Sequence, residues 1–123
     1  MGYHVVDPRD LEPEPDRPSE MRYISEAAGM EHLGLRLYHV APGEEIPLSG
    51  LHYHDEQEEA FYVVDGVLSV ETPDKVYRVE RGQVFVAEPK SPHRAYNEAD
   101  AGGEVTVLGL GAPPGNDGHA HSE

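Results

Sequence analysis

With 24 acidic side chains against nine basic ones, this chain of 123 residues has a formal charge of −15, and such a surface repels nucleic acid and anionic membranes. The absence of cysteine removes disulfides and thiolate metal sites and fits a reducing compartment, and no apolar run approaches membrane-spanning length. The length supports one domain with a modest core, and thirteen glycines, eleven prolines and few helix-period patterns point to short strands joined by turns.

The N-terminus, MGYHVVDPRD, has no basic region followed by an apolar core, so the expectation is a cytoplasmic protein without a signal peptide. Residues 1–21 join a short apolar start, Tyr3 to Val6, to a proline- and acid-rich segment with little to bury. This predicts an extended arm that is ordered by crossing a second subunit, and hence a homodimer. The predicted barrel runs over 22–112, beginning with a strand at Arg22 to Ile24 and a turn or short helix at Ser25 to Glu31.

Leu33 to Val40 alternates cleanly, with Leu33, Leu35 and Leu37 on one face and Arg36 and Tyr38 on the other. Arg36 and Tyr38, like Arg94 and Tyr96, are read as ordinary surface positions, with a substrate-facing role as the second possibility. Further strands are predicted at Val76 to Val79, Val84 to Ala87 (buried), His93 to Asn97 and Glu104 to Leu110. Residues 113–123 form a polar tail, predicted to be disordered, in which His119 and His121 are read as inert. Strands every eight to twelve residues without crossover helices indicate an antiparallel sandwich or barrel.

The chemistry concentrates in SGLHYHDEQEEAFYVVDG, from Ser49 to Gly66. His52 and His54 are two apart, so on a strand both rings project from one face. Glu59 opens the apolar run Ala60 to Val64, and Asp65-Gly66 offers a tight hairpin turn into Val67 to Val70. PHRAYN, from Pro92 to Asn97, adds a third histidine, His93, at a strand entry. Imidazoles and a carboxylate brought to one spot suit a divalent transition metal: Mn, Fe, Ni, Cu or Zn. Asp55, Glu56 and Glu58 read as a solvated acidic loop.

These residues resemble the cupin family over roughly 33–110. His52, His54, Glu59 and Gly66 are similar to the first cupin motif, and Gly82, His93 and Asn97 to the second. Ile46 stands where the first motif's leading glycine is usual, and Glu88 and Lys90 stand where the second motif's turn proline and glycine are usual. The resemblance implies an all-β jelly-roll barrel, a double-stranded β-helix, with His52, His54, Glu59 and His93 as ligands of one metal ion. Asn97 is read as a strand-end hydrogen bonder. Two functions stay open: a metal-dependent enzyme on a small oxygenated anion (dioxygenase, isomerase or decarboxylase), or a non-catalytic small-molecule binding or sensing domain. No catalytic residue is assigned.

The acidic residues are spread along the whole chain, which favours adaptation to a salt-rich host over a charged tail or a basic partner. Screening should then relieve the self-repulsion. The melting temperature is expected to rise markedly between low-salt buffer and molar KCl, followed by circular dichroism. A flat or falling curve would assign the charge another purpose.

Overall fold

The computed structural model describes residues 2–48, 50–115 and 118–121. In chain order the elements are β1 (Glu20–Tyr23), α1 (Ile24–Ala28), β2 (Gly34–Val40), β3 (His52–His54), β4 (Glu58–Asp65), β5 (Val67–Glu71), β6 (Val76–Glu80), β7 (Val84–Ala87), β8 (Arg94–Tyr96), β9 (Val105–Ala112) and β10 (Gly118–Ala120). One sheet has the order β1-β2-β9-β4-β7, a second β6-β5-β8, and β10 pairs with β3. All the pairings are antiparallel. Paired bridges at His52–His93 and Glu45–Tyr96 tie the connecting segments to the smaller sheets. Among the described residues no helix is long and apolar enough to cross a membrane.

The core lies between the sheets. Val40, Val63, Leu68, Val70, Val105 and Val107 are at most 1% exposed, with Met21, Tyr38, Ile46 and Phe61 packed around them. Period-two burial along β9 follows from the pleat: Val105, Val107, Gly109 and Gly111 face inward. Gly109 is required by a close approach, because a Cβ there would stand 2.8 Å from Cε2 of the Tyr38 ring.

Several expectations change at this level. Asp65-Gly66 is not a hairpin turn: β4 pairs with β7 and β9, while β5 pairs with β6 and β8. The chain crosses from one sheet to the other at Gly66, whose φ of +85° and a would-be Cβ contact of 2.9 Å to the Glu104 carbonyl oxygen leave room only for glycine. The faces of β2 are also reversed from a simple leucine-in reading. Gly34, Tyr38 and Val40 are buried on the inner face, which half-buried Arg36 shares, and Leu35 and Leu37 lie on the outer face.

Val84–Ala87 is an edge strand rather than a buried one, with Val84 52% and Val86 62% exposed. Within the tail, expected to be disordered, Gly118–Ala120 pairs with β3, because the metal-motif strand has an edge free to accept it. The arm finds partners in its own chain. The Glu14 amide donates to the Met21 carbonyl at 2.8 Å, Arg17 to the Ile46 carbonyl at 3.0 Å, and Arg22 to the Pro8 carbonyl at 3.1 Å.

Candidate metal centre

His52 and His93 face each other as a bridge pair, exchanging both backbone hydrogen bonds: His52 N to His93 O at 3.1 Å and His93 N to His52 O at 2.8 Å. This fixes their rings side by side, with centroids 4.7 Å apart. His54 follows on the same face of β3, its ring 5.0 Å from that of His52. Glu59 comes from the opposite sheet, held in register between Ala87 and Gly111. The site is therefore closed across the barrel, and not within one hairpin. One ligand atom from each of the four side chains lies within 4.8 Å of all the others, so the group could hold a metal ion.

The hydrogen-bond pattern fits a cation at this point. His52 Nδ1 donates to the Gly50 carbonyl at 2.9 Å and His93 Nδ1 to the Ser91 carbonyl at 2.8 Å. A carbonyl only accepts, so each neutral ring keeps its lone pair on Nε2, the arrangement found where a backbone carbonyl orients a metal-binding histidine. His93 Nε2 then stands 2.7 Å from Glu59 Oε1, and His54 Nε2 is 3.1 Å from the same oxygen. A bare imidazole nitrogen and a carboxylate oxygen at that distance repel unless a proton or a metal ion lies between them. The side chains of His93, Glu59 and His54 are 2%, 11% and 12% exposed, so water does little to screen the group.

Burial pushes the His52 imidazole below its ordinary value and outweighs the Gly50 hydrogen bond that pulls it up, which keeps it in the neutral form a ligand needs. Burial acts to raise the Glu59 carboxyl, yet the contacts with the His54 and His93 rings, which attract it as soon as a proton or cation sits between them, outweigh burial and hold the group well below the usual carboxylate range. Glu59 is thus an anion among imidazoles, and its neighbour Glu58 points outward into solvent. Asn97 is 2% exposed and donates to the Val40 and Gly103 carbonyls at 3.0 and 2.9 Å, clamping a strand end away from the metal group. His119 is outside the group and pairs with Asp55 at 2.7 Å on the surface.

Lys90 adopts a left-handed φ of +67°, at a cost of about 1–2 kcal/mol for a residue with a side chain, and its amide donates to the His54 carbonyl at 2.6 Å. Ile46, in the place of the first motif's leading glycine, is a buried wall residue.

Three of the four side chains, His52, His54 and Glu59, line a cavity of about 630 Å³ whose walls include Tyr23, Tyr38, Phe61 and Ile46, with His93 buried behind them. Arg36 and Tyr38, read from sequence as surface residues, line it, as does Arg17 from the N-terminal arm. The one sequence signal for Arg36 and Tyr38 is their shared phase on β2. Arg17 carries none. Gln57, read as part of an acidic turn, is buried and donates to the Pro113 carbonyl at 3.0 Å.

The cupin domain family model matches residues 36–109, and the chain belongs to this family. Across its whole length it is 29% identical to "Polyketide synthase CurC" of Streptomyces cyaneus, covering 80% of that protein. Among solved structures, it superimposes with a TM-score of 0.80 on a sugar phosphate isomerase of the cupin superfamily from Silicibacter pomeroyi, at 21% identity over 98% of this chain and 83% of the other. The polyketide cyclase RemF from Streptomyces resistomycificus gives a TM-score of 0.80 at 19% identity, over 98% and 87% of the two chains. A predicted oxalate decarboxylase from Thermotoga maritima gives 0.73 at 20% identity, over 90% and 100%. At these identities the structures establish the jelly-roll fold.

Metal occupancy is the direct check. Apoprotein titrated with a divalent transition metal should take up about one ion per chain, and His52→Ala, His93→Ala or Glu59→Gln should each weaken binding by at least about 10–100-fold, with Glu58→Gln close to wild type. Affinity should fall as pH falls, because protons compete for the imidazoles. For His52 that competition begins below its ordinary value of 6.5, since the folded ring resists protonation. Stability of the metal-free protein should move the same way: unfolded His52 and Glu59 take protons near their ordinary 6.5 and 4.5, before the folded groups do, so acid favours the unfolded chain. One ion per chain persisting in the double variant His52→Ala/His93→Ala would place the site elsewhere.

Proposed function

We propose that the protein binds one divalent transition metal ion through His52, His54, Glu59 and His93 and is a metal-dependent enzyme acting on a small oxygenated, anionic substrate. The observation that carries this reading is the convergence of three imidazoles and one carboxylate, of which His52, His54 and Glu59 stand at the wall of a single cavity. Four protein ligands leave open positions in an octahedral shell, and the bound metal would supply Lewis-acid polarisation of a substrate oxygen. The protein's own contribution is to hold the rings through Gly50 and Ser91, to exclude water with Phe61 and Phe85 packed beside His93, and to keep Glu59 ionised.

Within that class, rearrangement or cyclisation of a carbonyl compound is the favoured reaction. The cavity has the volume of a drug-sized ligand site and aromatic walls, more room than a two-carbon acid fills. The full-length likeness to a polyketide synthase component and to a polyketide cyclase supports the same choice. Metal-loaded protein should be incubated with an aromatic β-keto acid, a sugar phosphate and oxalate, and followed by NMR. Consumption of one of them, lost in His93→Ala, supports an enzyme. Saturable binding with no conversion would instead favour the non-catalytic binding domain.

A homodimer is proposed for a different reason from the arm. On the outer face of the five-stranded sheet, Leu35, Leu110, Ala60 and Val86 form one cross-strand row, and Leu37, Leu108, Tyr62 and Val84 a second. Two adjoining apolar rows across four strands are out of keeping with a chain of charge −15 unless a second copy covers them. Light scattering at micromolar concentration should give twice the chain mass, and Tyr62→Lys/Val84→Glu should give a folded monomer. A wild-type monomer would end the proposal.

A further inference from the structure

Of the seven arginines, Arg9, Arg22, Arg78 and Arg94 each lie within 4 Å of a carboxylate: Asp7, Glu20, Glu98, and Glu45 with Glu71, respectively. Arg81 lies on an exposed turn. The other two, Arg17 and Arg36, face the metal cavity, and among the described residues neither forms an ion pair. In both, Nε is shielded from solvent and has no hydrogen-bond partner among the described residues. Arg17 uses one terminal nitrogen on the Ile46 carbonyl, and the Arg36 guanidinium lies over the Tyr23 ring, 4.8 Å from its centroid. A half-buried guanidinium with an idle donor is costly, and a chain with 24 carboxylates has ample means to neutralise it.

Among the described residues the cavity wall carries two carboxylates, Glu14 and Glu59, and Glu59 is committed to the imidazoles. We infer that Arg17 and Arg36 together bind the anionic group of the ligand, a carboxylate or a phosphate, while the opposite end of that ligand meets the metal group. Guanidinium forks suit either oxyanion, since both present paired acceptor oxygens. This inference rests on the reading of the cavity as the substrate site. It gives the N-terminal arm a function: Arg17 lies within the segment 1–21 and brings one half of the clamp.

Tyr38 lies in the field of both arginines and of Glu59. Burial raises its phenol, more than the two guanidiniums lower it, so it stays protonated and presents a neutral hydroxyl to Arg36. The local positive charge also answers a difficulty of the whole molecule, because a protein of charge −15 repels an anionic substrate everywhere except where cations are gathered.

The test uses full-length metal-free and metal-loaded protein titrated calorimetrically with salicylate, glucose 6-phosphate and the neutral salicylamide. Wild type should bind at least one anion more tightly than salicylamide in both metal states. Arg36→Gln and Arg17→Gln should each reduce anion affinity by about ten- to a hundredfold, leaving salicylamide binding and metal stoichiometry unchanged, and the lysine variants should recover part of the loss. Preference for salicylate or for glucose 6-phosphate identifies the oxyanion. Anion affinity that is unchanged in the glutamine variants, or in Arg17→Met and Arg36→Met should a glutamine variant not fold, overturns the clamp but leaves the cavity as the ligand site. Failure of wild type to bind any of the three overturns both.

Discussion

The reciprocal pairing of His52 with His93 is the constraint on which the site depends. Two backbone hydrogen bonds lock a short strand to the entry of another, more than forty positions later in the chain. Once those backbones are paired, the ring directions follow from the pleat, and the carbonyls of Gly50 and Ser91 set which nitrogen of each ring points inward. Glu59 arrives from the other sheet, so the quartet exists only when the barrel is closed.

The rest of the fold serves that closure. Glycine at 66 lets the chain leave one sheet and enter the other, and the inward glycine at 109 makes room for the Tyr38 ring. Lys90 holds a backbone conformation that suits glycine better, and its amide hydrogen bond to His54 shows what the strained turn secures. Around the site the barrel is not a simple apolar core. Arg17, Arg36 and Gln57 occupy inward positions at one end, while Val63, Leu68 and Val70 fill the remainder. A cavity with polar walls beside a dry core is what a binding site in a small barrel requires.

Charge is distributed in the same spirit. Ion pairs on the outside, such as Arg94 with Glu71 and Glu45, sit among excess carboxylates and contribute little individually. The two guanidiniums in the cavity are set apart from them, and a metal ion held by the histidine group would add a positive centre of its own.

Much of this was legible in the chain. The two-residue histidine spacing, the interval from Glu59 to Gly66 and the proline before His93 point to the same four side chains that meet in the structure, strand spacing and turn residues point to an antiparallel sandwich or barrel, and the resemblance to the cupin motifs narrows that to a jelly roll. Asn97 was read correctly as a strand-end clamp. The choice of Glu59 over Glu58 also agrees with the fold, because period-two alternation separates neighbours on a strand. What alternation cannot do is say which of two faces turns inward. On β2 the leucines looked like the core face, yet they lie outside, because the outer surface of that sheet is itself apolar and the inner surface at that end is a cavity. Pairing partners were beyond reach for a similar reason. Asp65-Gly66 has the composition of a hairpin turn, and only the competition among all the strands for partners sends β4 to one sheet and β5 to the other. The arm and tail were invisible to local rules altogether: Arg17 and Gly118–Ala120 acquire their places from backbone groups that the barrel leaves open, the Ile46 carbonyl and the edge of β3.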